Sequence, residues 1–195
     1  MGEKKIEDRK YTHEEYDQLI QELDYKIEYH AGYVRAMAGG KPNHSLISAN
    51  FQGELYNAFS GGDCSVFDSD LGVNIEEFDL YVYPDVVVTC EEKKYKRGLY
   101  LENPSIIVEV ASKSTMNYDK GKKQFYYFSL PSLKEYVIVS TVEPLITVHS
   151  KNGKGNWETV VSMGLKSKIY LANFELEISL GDVYRQIFEF EGLND

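Results

Sequence analysis

Two acids stand inside runs of apolar, β-branched residues that leave a carboxylate little access to water. Glu109 lies within Ile106-Ile-Val-Glu-Val110, and Asp85 follows Pro84 at the head of Val86-Val-Val-Thr89. A buried carboxylate must be protonated or paired. Two of them on buried strands point to a hard divalent cation with oxygen ligands. The run around Glu109 breaks into the polar Ser112-Lys-Ser-Thr115, as a covered central strand does before a helix, and sheets of this kind place ligands at the carboxyl ends of their strands. In the segment that follows, Asp119 and Lys123 fall at i and i+4 with Tyr127 one turn further, all on one helical face. A lysine aimed at a carboxylate-bound metal can orient or deprotonate an attacking water, or stabilise charge building on a phosphate.

Those residues need a scaffold, and the periodicity supplies one. Thr12 with Glu15 forms a capping box, and Tyr16, Leu19, Ile20 and Leu23 keep helical spacing, predicting a helix over 12–23. Residues 26–30 and 33–37 read as a hairpin around Gly32. Asn43 is expected to cap a second helix over 44–60, striped by Leu46, Ile47, Phe51, Leu55 and Phe59 and stopped by Gly61-Gly62. Strands are expected at 65–67, 72–75, 81–89 and 105–110, a helix at 118–129 before Pro131, and a buried strand at 135–139. Strands at 146–149, 157–161 and 169–178 complete a β tail, and Gly181-Asp182 opens a last helix carrying Val183, Tyr184, Ile187 and Phe188 to about 190. The expected class is α/β, of the mixed α+β kind, in a single domain over 1–195.

Composition narrows the possibilities. The chain has 195 residues, 43% apolar, with 16 Tyr and 9 Phe, enough for a well-sized core. No apolar run reaches the roughly 18 residues of a membrane span, and the start lacks the hydrophobic core of a signal peptide, so the expected location is the cytoplasm with no membrane partner. Cys64 and Cys90 lack metal-ligand spacing and are expected to be reduced and structural. The net charge of −10 opposes a protein that coats nucleic acid by bulk electrostatics. Basic residues nonetheless cluster at 93–97, read as a solvated loop, and at 120–123.

The ordered set Pro84-Asp85, Val108-Glu109-Val110, Ser112, Ser114-Thr115, Asp119, Lys123, Tyr127 and Pro131-Ser-Leu-Lys-Glu-Tyr-Val-Ile-Val139 resembles the bacterial restriction-endonuclease branch of the PD-(D/E)XK nuclease superfamily. Ile27-Glu28-Tyr29 and His44 resemble its amino-terminal pattern, so the likeness spans about residues 12–180. It implies a restriction-endonuclease-like core, with a four-stranded mixed sheet and flanking helices and hairpins. It also implies hydrolysis of phosphodiester bonds, in DNA as the first expectation, with Mg²⁺ or Mn²⁺ as cofactor. Carried over by position, Asp85 and Glu109 are metal ligands, with the backbone carbonyl of Val110 as a further one. Lys123 is the catalytic lysine, and Glu28, His44 and Asp119 are supporting residues. A homodimer follows by analogy, because cutting two strands takes two sites.

One departure matters. Two residues after Glu109, where the superfamily lysine would stand, is Ala111. Some branches carry that lysine on the following helix, which favours Lys123 over Lys113 in the turn. Other readings of the same residues stay open. Asp85 could cap a turn, Glu109 could be held by backbone amides or Arg35, Lys123 could pair with Asp119 at the surface, and His44 could simply start its helix. At the level of the protein, the alternatives are an inactive nucleic-acid-binding module on the same fold and a carboxylate-pair glycosidase.

Overall fold

The computed structural model describes residues 6–37, 39–187 and 190. Helix α1 (His13–Glu22) starts as expected. Thr12 Oγ1 accepts the Glu15 N–H at 3.2 Å, and the Glu15 carboxylate accepts the Thr12 N–H at 2.8 Å. Strands β1 (Ile27–His30) and β2 (Tyr33–Ala36) form the hairpin, turned by Ala31 and Gly32 at φ 50° and 97°. Helix α2 runs Pro42–Phe59 and begins ahead of the expected start. Proline at the first helical position loses no hydrogen bond, because that N–H has no partner within the helix. Lys41, not Asn43, is the cap residue.

The remaining strands are β3 (Ser65–Asp68), β4 (Gly72–Ile75), β5 (Leu80–Val82), β6 (Val86–Thr89), β7 (Tyr95–Lys96), β8 (Tyr100–Leu101) and β9 (Ile106–Ala111). After β9 come α3 (Met116–Tyr118), a π-helical segment (Asp119–Lys123) and α4 (Gln124–Phe128). Strands β10 (Glu135–Ser140), β11 (Leu145–Lys151), β12 (Trp157–Met163), β13 (Lys168–Leu171) and β14 (Leu176–Ser179) lead to the short α5 (Leu180–Val183). One six-stranded sheet has the order β2-β1-β5-β4-β8-β7, a second has β12-β11-β10-β9-β6-β3, and β13 pairs with β14. In the second sheet β9 and β10 run parallel and their neighbours antiparallel, a mixed sheet as expected but with six strands rather than four.

Both faces of the second sheet are covered, which is why its central strands read as unbroken apolar runs. On one face Val86, Val88, Val108 and Val137 pack against Ile47, Phe51 and Leu55 of α2. On the other, Val87, Ile107, Ala111 and Ile138 meet Tyr127 of α4 and Val73, Leu80 and Leu101 of the first sheet. Strand alternation puts Glu109 on this second face, between Ile107 and Ala111. Beyond it lies an aromatic cluster in which Tyr81 and Tyr100 stack at 4.1 Å. Gly72 lies beneath Tyr100, where a Cβ would come within 2.6 Å of the ring.

Several expectations are corrected. Residues 81–89 are two strands in two different sheets, broken at Tyr83-Pro84-Asp85, where proline has no N–H to give a ladder. The basic 93–97 run is exposed, as expected, but it also contributes the two-residue β7, with Lys96 bonded to Glu76 and Arg97 to Asp17. Residues 169–178 fold back through a 3-10 turn at Ala172–Phe174. The last helix stops at Val183, and Phe188 lies outside the described residues. Cys64 and Cys90 are joined in a disulfide rather than reduced. The register Ser65↔Thr89 makes them the next facing pair across β3 and β6, with Cα atoms 3.9 Å apart. A spacing of 26 residues in sequence cannot reveal that register.

Buried Glu135 ties the β13–β14 hairpin to the sheet. Its carboxylate accepts the Asn173 N–H at 2.8 Å, Asn173 Nδ2 at 2.9 Å and Ser150 Oγ at 2.5 Å. Glu135→Ala leaves these donors without that acceptor and is expected to cost about 1–3 kcal/mol, read as a lower urea midpoint at unchanged m. An unchanged midpoint would show that the network contributes nothing.

Candidate active site

The break at Pro84 sets the geometry of the site. β6 pairs with β9 only as far as Val86↔Val108, so Val110, which has Val139 of β10 on one side, has no strand residue opposite it on the β6 side. The Asp85 side chain takes that place, its Oδ2 accepting the Val110 N–H at 2.6 Å. On the other edge of β9, Thr141 N–H donates to the Ala111 carbonyl at 2.9 Å. Carbonyls of successive strand residues point to opposite edges, so that of Val110 faces the Asp85 side. The other Asp85 oxygen, Oδ1, lies 3.3 Å from His44 Nε2, in the first turn of α2.

Glu109 is 4% exposed and meets two groups from the following helix. Lys123 Nζ lies 2.8 Å from Glu109 Oε1, and the Tyr127 hydroxyl donates to the same oxygen at 2.7 Å. The spacing put Lys123 and Tyr127 on one helical face, and both side chains reach the same carboxylate, although the turn holding Lys123 is π-helical. Such turns occur mostly as single insertions in α-helices, often at functional sites. Glu28 comes from β1, with Oε1 accepting the Tyr83 N–H at 3.4 Å and lying 3.9 Å from Lys123 Nζ, and Oε2 lying 3.0 Å from His30 Nε2. Asp119 is buried, and its carbonyl accepts the Tyr136 hydroxyl at 3.0 Å.

Glu28, His44, Asp85, Glu109, Asp119 and Lys123 all line one cleft of about 690 Å³, with Val110 in its wall. Lys113, the rival lysine, also lines it, but the partner of Glu109 is Lys123. Arg35, cross-strand from Glu28, lies on the same wall, while Glu109 is held by Lys123 and Tyr127. Lys123 is not a surface residue paired with Asp119, since it is 8% exposed. His30 and its bond to Glu28 had no signal in the sequence beyond the i, i+2 spacing that puts the two on one face of β1.

Burial dominates the electrostatics. It pushes the Glu109 carboxyl above the usual carboxylate range, against the downward pull of Lys123, and it raises Asp119 as well. For Lys123, burial works against the charge, but Glu109, Glu28 and Asp119 outweigh it and hold the ammonium protonated above its ordinary range. Burial also opposes ionisation of Glu28, yet the hydrogen bond from His30 and the charge of Lys123 keep it below the usual range. The hydrogen bond to Asp85 raises His44, with burial opposing.

Among the described residues no three His, Cys, Asp or Glu side chains gather as a metal cage. The donor set still fits a hard cation. Two carboxylates and a carbonyl are oxygen ligands, and Mg²⁺ commonly takes one or two carboxylates while keeping waters and phosphate oxygens.

The profile described as "Uma2: Putative restriction endonuclease" matches residues 13–180. The chain belongs to the Uma2 family. An uncharacterized protein of Synechocystis, slr1290, is 35% identical over 176 residues, covering 90% of this chain and 92% of the relative. A second from the same organism, sll1609, is 31% identical over 160 residues, covering 81% and 90%. Among solved structures, one described as a putative nuclease belonging to DUF820, from Anabaena variabilis, superposes with a TM-score of 0.70 at 17% identity. The match covers 88% of this chain and 96% of that one, a likeness of fold. The restriction-endonuclease-like architecture is therefore established, and Uma2 membership supports a nuclease-like role. No helix among the described residues is long and apolar enough to cross a membrane.

The raised His44 value sets the sign of a pH effect. Its contribution to stability is full below its ordinary value of 6.5 and is lost as pH rises through the higher folded value. In EDTA, His44→Gln is expected to cost most stability below pH 6.5 and progressively less above it, measured by urea melts across pH. A cost independent of pH would exclude a charged His44–Asp85 pair.

Proposed function

We propose that this Uma2 protein is a metal-dependent endodeoxyribonuclease, with Asp85, Glu109 and Lys123 as its catalytic set. The observation that carries this reading is the Lys123 ammonium 2.8 Å from the Glu109 carboxylate, in the same cleft as Asp85. The missing lysine at position 111 is thereby replaced in space from the helix. The residues that would hold Mg²⁺ or Mn²⁺ are Asp85, Glu109 and the Val110 carbonyl. When bound, the ion supplies Lewis acidity toward a phosphate oxygen and lowers the pKa of bound water.

The chain's own groups divide the remaining work. Val110 N–H fixes the Asp85 carboxylate through Oδ2, and His44 steadies Oδ1. Tyr127 fixes Glu109. Lys123, kept protonated by its carboxylate neighbours, acts by charge: it holds its proton at Nζ and stabilises negative charge building on the phosphate. Arg35, Lys41 and Lys113 on the cleft wall offer cations to a polyanion despite the acidic average of the chain. A glycosidase reading is disfavoured, because an ammonium sits against one of the two acids rather than leaving them to face a sugar across an open gap.

Asp85→Ala and Glu109→Ala are expected to abolish Mg²⁺-dependent nicking of plasmid DNA while circular dichroism stays native. Lys123→Ala is expected to lower the rate by about 100-fold or more. Full activity in Asp85→Ala would overturn the assignment. Absence of metal-dependent cleavage of plasmid, single-stranded DNA and RNA by the wild type would favour the inactive binding module.

A further inference from the structure

The β1–β2 hairpin turns one face to the cleft. Glu28 and His30 of β1 stand opposite Arg35 and Tyr33 of β2, so the four side chains share that face, and Glu28 and Arg35 both line the cleft. The β1 pair is buried and bonded, with His30 on Glu28 Oε2 and the Tyr83 N–H and Lys123 on Oε1. The β2 pair is exposed, because β2 ends its sheet. Glu28 therefore leaves its cross-strand neighbour Arg35 without an acid. Arg9, Lys26, Lys96, Arg97 and Lys168 each meet a carboxylate, but among the described residues none meets Arg35 or Lys10.

Lys10 belongs to the same edge. The Tyr11 N–H donates to the Gly32 carbonyl at 2.8 Å, and the Lys10 stem fills the space beside Gly32, 3.3 Å from where a Cβ would stand. Its Nζ lies 5.7 Å from the centroid of the Tyr33 ring, which is 47% exposed. From the cleft outward the order is thus cation, aromatic ring, cation. Tyr33 and Arg35 are two strand residues apart, about 6.6 Å, the length of one nucleotide step in an extended strand.

We propose that β2 guides a single-stranded polynucleotide into the cleft, with Arg35 on a phosphate flanking the metal site, a base stacked on Tyr33, and Lys10 on the next phosphate out. Resting on the nuclease reading for the phosphate at Asp85 and Glu109, it adds the form of the substrate. Cations alternating with an open ring match a polymer that alternates charges with flat apolar faces. A duplex keeps those faces inside its own stack. The site itself is recessed, with Glu109 and Lys123 buried at the cleft floor, which suits a thin strand.

In EDTA, where metal-dependent cleavage is silent, the full chain is expected to bind a labelled oligothymidylate of about 12 nucleotides more tightly than the same length of duplex, read by fluorescence anisotropy. An oligouridylate run beside it tells a DNA strand from an RNA strand. Tyr33→Leu is expected to weaken binding by about 5- to 100-fold, while Tyr33→Phe, which keeps the ring, binds as wild type. Arg35→Ala is expected to flatten the slope of log K against log salt by about 0.7. Tyr56→Leu, exposed on α2, should change neither. Wild-type affinity in Tyr33→Leu, an unchanged slope in Arg35→Ala, or tighter binding of the duplex would overturn the guide while leaving Mg²⁺-dependent nicking, and so the nuclease reading, untouched. Strand binding with these losses but no nicking would overturn the nuclease reading and leave the guide.

Discussion

The hydrogen bond from the Val110 N–H to the Asp85 carboxylate is the constraint on which the rest of the site depends. The chain crosses from one sheet to the other at Tyr83-Pro84-Asp85, and a proline at the crossing leaves the end of the β6–β9 ladder unfinished. A side chain finishes it. That substitution keeps Val110 satisfied, orients Asp85 toward the cleft, and leaves the Val110 carbonyl on the same edge. A regular strand through this point would pair Val110 with backbone and have no carboxylate to offer.

The second element is the π-helical turn that carries Lys123. A lysine and a glutamate removed from water usually cost more than they return in stability, and such pairs are a poor choice for a core. Here the cost is spread over a network. Tyr127 shares the Glu109 oxygen, Glu28 stands beyond the ammonium, and His30 holds Glu28 in turn. Three separate segments thus converge on one cation, with the aromatic core behind Tyr127 and Tyr136 keeping water out. The arrangement makes sense as a site held ready for charge chemistry rather than as a source of stability.

Much of this was legible in the residues. The apolar run around Glu109 announced a buried acid, whereas Asp85 is only half-buried in the break before β6, and the spacing of Asp119, Lys123 and Tyr127 gave a shared helical face without saying which carboxylate it meets. What escaped was set by long-range register. Whether residues 81–89 stay in one sheet or cross between two depends on which edges are free, and the Cys64–Cys90 disulfide depends on a pairing 26 residues apart. His30 escaped for a related reason, since its importance arises only once Glu28 is seen to reach Lys123. The basic 93–97 run is solvated as read, but nothing in its composition showed that Glu76 and Asp17 on neighbouring elements pair with Lys96 and Arg97.

The central claim is that Asp85 and Glu109 are two halves of one divalent-cation site. Crystals soaked in Mn²⁺ and measured at the manganese absorption edge test it directly. The account predicts one anomalous peak within coordination distance of both carboxylates and of the Val110 carbonyl. No peak at the cleft, or one that touches neither Asp85 nor Glu109, would contradict it.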